Sequence, residues 1–135
     1  MIDRRAVVAV ASLATLLGGT AHASAPETNG TTMYGMIGRI TALPGRRAEL
    51  AALMLAGTAA MPGCLSYLVS EDLADPDALW IAEAWDSKQS HAASLSLPAV
   101  RATIAKARPL VAGFTTAAEL KPLGGVGLAA RERRR

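Results

Sequence analysis

Residues 78–98 read ALWIAEAWDSKQSHAASLSLP. In the first part Leu79, Ile81, Glu83 and Trp85 fall on one side of an extended chain, and Trp80 falls on the other. Ser87 then has the chemistry of a helix cap, opening a helix at SKQSHAASL. Pro98 suits the first turn of a second helix, PAVRATIAKARPLV, in which Val100, Ile104 and Ala107 share a face. The stretch is therefore a joint where a strand hands over to a broken helical segment. Three apolar neighbours make the Glu83 side of the strand an inward-looking one.

Working outward, CLSYLVSED reads as a strand with Leu65, Tyr67 and Val69 on one face, and LADPDA reads as the turn that joins it to the next strand in a hairpin. Upstream, RRAELAALMLAGTAA places Leu50, Leu53, Met54 and Gly57 at helical spacing, with Arg46, Arg47 and Glu49 on the wet side. Pro62-Gly63 ends that helix. Before it, MYGMIGRIT alternates as a strand: Tyr34, Met36, Gly38 and Ile40 on one side, Met33, Gly35, Ile37 and Arg39 on the other. Downstream, Pro109 curtails the second helical segment and GFTTAAELKPL makes a final strand. The order β-α-β-β-α-β is the ferredoxin-like α+β arrangement. Helices on one side of a four-stranded antiparallel sheet leave its other face bare. A second copy, sheet against sheet, would cover it, so a homodimer is expected, with Trp80 at the interface.

The chain has 135 residues, enough for one domain, expected over 33–122. Residues 1–23 have a charged start with Arg4 and Arg5, an apolar run, and a small-residue site at Ala21-His22-Ala23. That is the layout of an export signal, so a periplasmic or secreted location is expected after cleavage near Ala23. The apolar run is too short to span a bilayer. Residues 24–32 read as a linker and 123–135 as a disordered basic tail. The net charge of +3 comes from the two ends, because basic and acidic residues balance between Met33 and Leu123. With no aromatic residues interleaved among basic ones, nucleic acid is not an expected partner. Cys64 is the only cysteine, which excludes an internal disulfide, and no clustered ligand set for a metal is visible.

Glu83, held among apolar neighbours, is a candidate general base, since desolvation raises a carboxyl pKa; a structural carboxylate is the alternative. His91 is the one histidine outside the leader and is a candidate for proton transfer, although a lone histidine on a short polar helix is usually a surface residue. Trp85 can wall a flat aromatic substrate or simply pack, and Tyr67 can hydrogen-bond a ring oxygen or belong to the core. Tyr34, on the same strand side as Met36, joins them as a candidate substrate contact. Arg39 reads as a solvated residue at a strand edge.

The segments GRIT, LPG, PGCLSY and EAWDS, with Pro98 following, resemble the antibiotic biosynthesis monooxygenase family, including quinol monooxygenases, over Tyr34 to Leu120. The resemblance implies a dimeric α+β barrel and oxidation of a quinol, phenol or polycyclic aromatic by O₂ with no dedicated cofactor. The histidines that many quinol-oxidising relatives carry fall at Ser94 and Ala99 here. That departure leaves a second expectation open: a non-catalytic dimer that binds a small hydrophobic ligand. Haem degradation, known in related branches, lacks its Asn, Trp and His in this sequence.

Overall fold

The computed structural model describes residues 32–128. The stretch read as an export signal, nearly all of the linker and the last part of the basic tail lie outside these residues. Four strands and three helices follow in order: β1 (Tyr34–Ala42), α1 (Arg47–Gly57), β2 (Cys64–Glu71), β3 (Ala78–Trp85), α2 (Lys88–Ser94), α3 (Pro98–Ala107), a 3₁₀ turn (Arg108–Leu110) and β4 (Val111–Leu120). The strands form one antiparallel sheet in the order β2-β3-β1-β4. This is the ferredoxin-like α+β fold, with its second helical segment divided in two.

Local chemistry explains the boundaries. Gly45 takes φ +75° in the turn that leads from β1 towards α1, a conformation that glycine adopts at no steric cost. In α1, Leu50 and Met54 lie one turn apart and are buried. Helix α2 is capped as expected: the Ser87 hydroxyl oxygen accepts the Ser90 backbone N–H at 3.1 Å. Pro98 opens α3 at its first turn, and the helix gives way to the 3₁₀ turn around Pro109. Helices α1 and α3 touch closely, because a methyl group added at Gly57 would collide with the Thr103 side chain. The main core joins Leu50 and Met54 to Ile40, Leu79, Ile81, Leu110 and Val111 under these helices.

Three register shifts break simple alternation, and two of them bear on the site. A register shift between Cys64 and Ser66 takes Leu65 out of the face expected for it, so that Cys64 pairs with Trp85. A second shift in β4 leaves Ala117 unpaired between Thr116, opposite Gly38, and Ala118, opposite Ile37. It reverses the phase of the strand and turns Glu119 to the helix side, beside Met36.

Among the described residues no helix covers the other face of the sheet. Leu68 stands 58% exposed there, and Ile37 and Trp80 share that face. Arg39 lies on an inner strand and not at an edge; its Nη2 pairs with Asp75 Oδ2 at 2.6 Å. Trp80 Nε1 donates to Asp72 Oδ2 at 2.8 Å. Arg47, expected on the wet side of α1, instead donates to the carbonyls of Asp72 and Asp75 at 3.1 and 3.0 Å and pins the β2–β3 loop. Both bonds come from Nη1, while Nη2 pairs with Glu71 Oε2 at 3.1 Å, so the several donors of one guanidinium group draw it off the open surface.

Candidate functional site

Glu83 and Trp85 close β3 on the helix-covered face, because residues two apart on a strand point the same way. The Trp85 ring is 1% exposed, and its Nε1 donates to Glu83 Oε2 at 2.8 Å. The capped turn at Ser87 then swings α2 back over the end of the sheet. His91, expected more readily at the surface, is buried by this swing. Its Nε2 lies 3.6 Å from Glu83 Oε2. Its ring meets Trp85 edge-on, with centroids 5.4 Å apart, and packs tilted against Tyr34 at 5.2 Å. Tyr67 is the cross-strand neighbour of Glu83 on β2.

These groups border a cavity of ≈ 120 Å³ between sheet and helices. Glu83, Trp85, Tyr67 and His91 line it, whereas Tyr34 stands behind His91 and outside the lining. Ile40, Met54, Ile104, Val111 and Phe114 supply apolar walls further along the sheet. Two further hydroxyls in the lining donate to helix carbonyls: Thr58 Oγ1 to Met54 O and Ser94 Oγ to His91 O, both at 2.6 Å. Ser94 thus lies in the lining, where many quinol-oxidising relatives are expected to have a histidine.

Burial sets the electrostatics. It pushes the Glu83 carboxyl above its ordinary value, and the hydrogen bond from Trp85 offsets part of that rise. It pushes the His91 imidazole down, helped by the charge of Lys88 and opposed by Glu119. The imidazole is therefore neutral at neutral pH, and its contact with Glu83 is not an ion pair under those conditions. Burial, then the charge of Glu83, drives the Tyr67 hydroxyl upward, so Tyr67 keeps its proton and can donate it. The site thus holds a carboxyl group that can give or take a proton, beside a neutral imidazole and a phenol donor. Among the described residues no three His, Cys, Asp or Glu side chains converge to hold a metal ion.

A second polar cluster lies behind His91. Tyr34 Oη donates to Glu119 Oε1 at 2.7 Å, and Lys88 Nζ reaches the same oxygen at 3.4 Å. That ammonium group also lies 5.4 Å from the centre of the Tyr34 ring. Glu119 and Lys88 were not among the candidates from sequence. Strict alternation from Phe114 puts Glu119 on the opposite face, and only the bulge at Ala117 brings it here.

A profile of the antibiotic biosynthesis monooxygenase family matches residues 33–106. Among solved structures, a provisionally assigned antibiotic biosynthesis monooxygenase from Chloroflexus aurantiacus is 52% identical, with a TM-score of 0.68, over 72% of this chain and 99% of its own. A Mycobacterium tuberculosis protein is 25% identical with a TM-score of 0.60, over 70% of this chain and 99% of its own. A provisionally assigned antibiotic biosynthesis monooxygenase from Caulobacter crescentus, 20% identical, shares the fold with a TM-score of 0.63 over 70% of this chain and 92% of its own. No curated protein matches the chain.

Proposed function

The chain belongs to the antibiotic biosynthesis monooxygenase family, and from that premise we propose that it oxidises a phenolic or quinol substrate with O₂, the substrate supplying the electrons. The observation that carries this reading is Glu83: a desolvated carboxyl group on the wall of an apolar cavity, fixed by Trp85 and next to a neutral imidazole. Such a base removes a phenolic proton near neutral pH. The resulting anion is electron-rich and transfers an electron to O₂. The superoxide and ring radical then combine into a ring peroxide anion, which takes up the proton held by Glu83 and becomes a hydroperoxide. Loss of water, using the hydrogen on the same ring carbon, leaves a carbonyl group there. For a hydroquinone the sum is quinol plus O₂ giving hydroxyquinone plus water: one oxygen atom enters the ring and the other leaves as water. In this reading Tyr67, the cross-strand neighbour of Glu83, donates to the same ring oxygen and steadies the phenolate, and Trp85 offers an apolar wall.

The reading includes a homodimer, with the bare sheet face and its exposed Leu68 seated on a second copy. The test is oxygen uptake by purified protein with a panel of quinols under ¹⁸O₂. The expected result is uptake above the buffer rate with one labelled oxygen in the product. A product quinone without label, accompanied by hydrogen peroxide, would mean that the protein only speeds autoxidation, and the reading would fall.

A further inference from the structure

The cavity has a polar part and an apolar part, and the register of the sheet separates them. Glu83 pairs with Met36, whereas Phe114 pairs with Ile40, four residues along β1. Between those positions lies Gly38. A Cβ atom on Gly38 would sit 3.1 Å from both Cε2 and Cζ of the Phe114 ring. The aromatic ring therefore rests on bare β1 backbone, in the space a side chain at residue 38 would take. Both residues line the cavity, so this ring, with Val111, forms its wall on the β4 side.

Size then limits the ligand. An engineered apolar cavity of about 150 Å³ holds benzene. The cavity here is ≈ 120 Å³, so a single six-membered ring already fills it and anything larger needs a wall to give way. The methionine walls can shift, because an unbranched thioether changes rotamer easily. The Phe114 ring has less freedom, since backbone lies directly beneath it at Gly38.

We propose that Phe114, seated on Gly38, is a specificity-determining residue that restricts the site to single-ring phenols and quinols and refuses fused two-ring ones. The inference rests on the reading of the cavity as a phenol site and narrows its substrate class. The ligand hydroxyl meets Glu83 and Tyr67, and the opposite edge of the ring meets the apolar walls. A small alkyl group at that edge is tolerated where Met54 yields, whereas a second fused ring overlaps Phe114.

Binding can be measured without turnover under nitrogen. The Trp85 indole N–H donates to Glu83, so its proton resonance reports a phenol arriving at that carboxyl group. Trp80→Phe identifies which of the two indole signals is which. The full chain is titrated with 4-methylphenol and with 2-naphthol. The expected result is naphthol binding about tenfold or more weaker than methylphenol, the scale on which a filled apolar pocket rejects added carbons. Phe114→Ala is expected to raise the affinity for naphthol relative to methylphenol by about tenfold or more. Phe114→Leu repeats the test with a milder change, should the alanine variant fail to fold. Equal binding of the two phenols by the unaltered chain overturns the size limit alone. An unchanged preference in the folded Phe114 variants overturns the role of Phe114. No binding of any phenol removes the phenol site, and this inference with it.

Discussion

Glu83 and Glu119 flank the same residue. Both pair with Met36 of β1, Glu83 from β3 and Glu119 from β4, and both project to the helix side of the sheet. Each accepts a hydrogen bond from an aromatic side chain, Trp85 Nε1 at 2.8 Å and Tyr34 Oη at 2.7 Å. Their acidities nevertheless move apart. The Glu83 carboxyl is raised by burial, and the Glu119 carboxyl is lowered by the Tyr34 hydrogen bond and by Lys88. An aromatic donor stabilises the ionised form in both cases, so it cannot account for the opposite signs. Solvation can: the Glu83 side chain is 9% exposed, whereas Glu119 is 49% exposed and has an ammonium group beside it. One carboxyl group is set to exchange protons and the other to remain a fixed charge.

The largest break in that comparison is Glu83→Gln. The amide keeps an acceptor for Trp85 but cannot take a phenolic proton. Activity on quinols should fall about 10²- to 10⁴-fold, the usual contribution of a positioned base. A rate within a few-fold of the unaltered protein would show that Glu83 is only structural. Trp85→Ala tests the wall instead. It empties the space of a fully buried ring and should cost about 3–5 kcal/mol in urea unfolding, as buried aromatic truncations do. Trp85→Phe is milder and sharper. It removes the one hydrogen bond that lowers the Glu83 carboxyl, so the acidic limb of the activity–pH profile should move to higher pH. A limb that stays in place would mean that the titrating group is not Glu83.

Much of this arrangement was legible in the sequence, and the reasons are local. Alternation in ALWIAEAW placed Glu83 and Trp85 on the inner face, and the serine–proline punctuation at Ser87 and Pro98 marked both short helices. Those signals come from backbone periodicity and capping, which neighbouring residues determine. The burial of His91 was not legible, because it depends on α2 folding back over Trp85, a tertiary event with no trace in KQSHAAS. Glu119 was hidden for a different reason. One unpaired residue, Ala117, inverts the strand phase, and nothing in GFTTAAEL says where the extra residue goes. Arg47 misled in the same way, since its partners are the Glu71 carboxylate and two carbonyls of a loop distant in sequence.

The smallest expected effect gives the sharpest test, because only its sign matters. Glu83 is raised in the folded protein, so its contribution to stability is fully present below the ordinary carboxyl value of 4.5 and is lost as pH climbs through the folded value. Glu119 is lowered, so its contribution is present above 4.5 and is lost as pH falls through the folded value. At neutral pH, Glu83→Gln should therefore stabilise the chain and Glu119→Gln should destabilise it. The Glu119 change is expected to stay under about 1 kcal/mol, since the group is half in water and its partner Lys88 is exposed. Each amide keeps an oxygen acceptor for its aromatic donor, so hydrogen bonding is held nearly constant while charge is removed. Urea unfolding at neutral pH, repeated well below pH 4.5, follows both variants. The difference for Glu119→Gln should vanish at the acid end, where the native carboxyl group is itself neutral. Two variants shifting stability in the same direction at neutral pH would show that something other than solvation separates these two carboxyl groups.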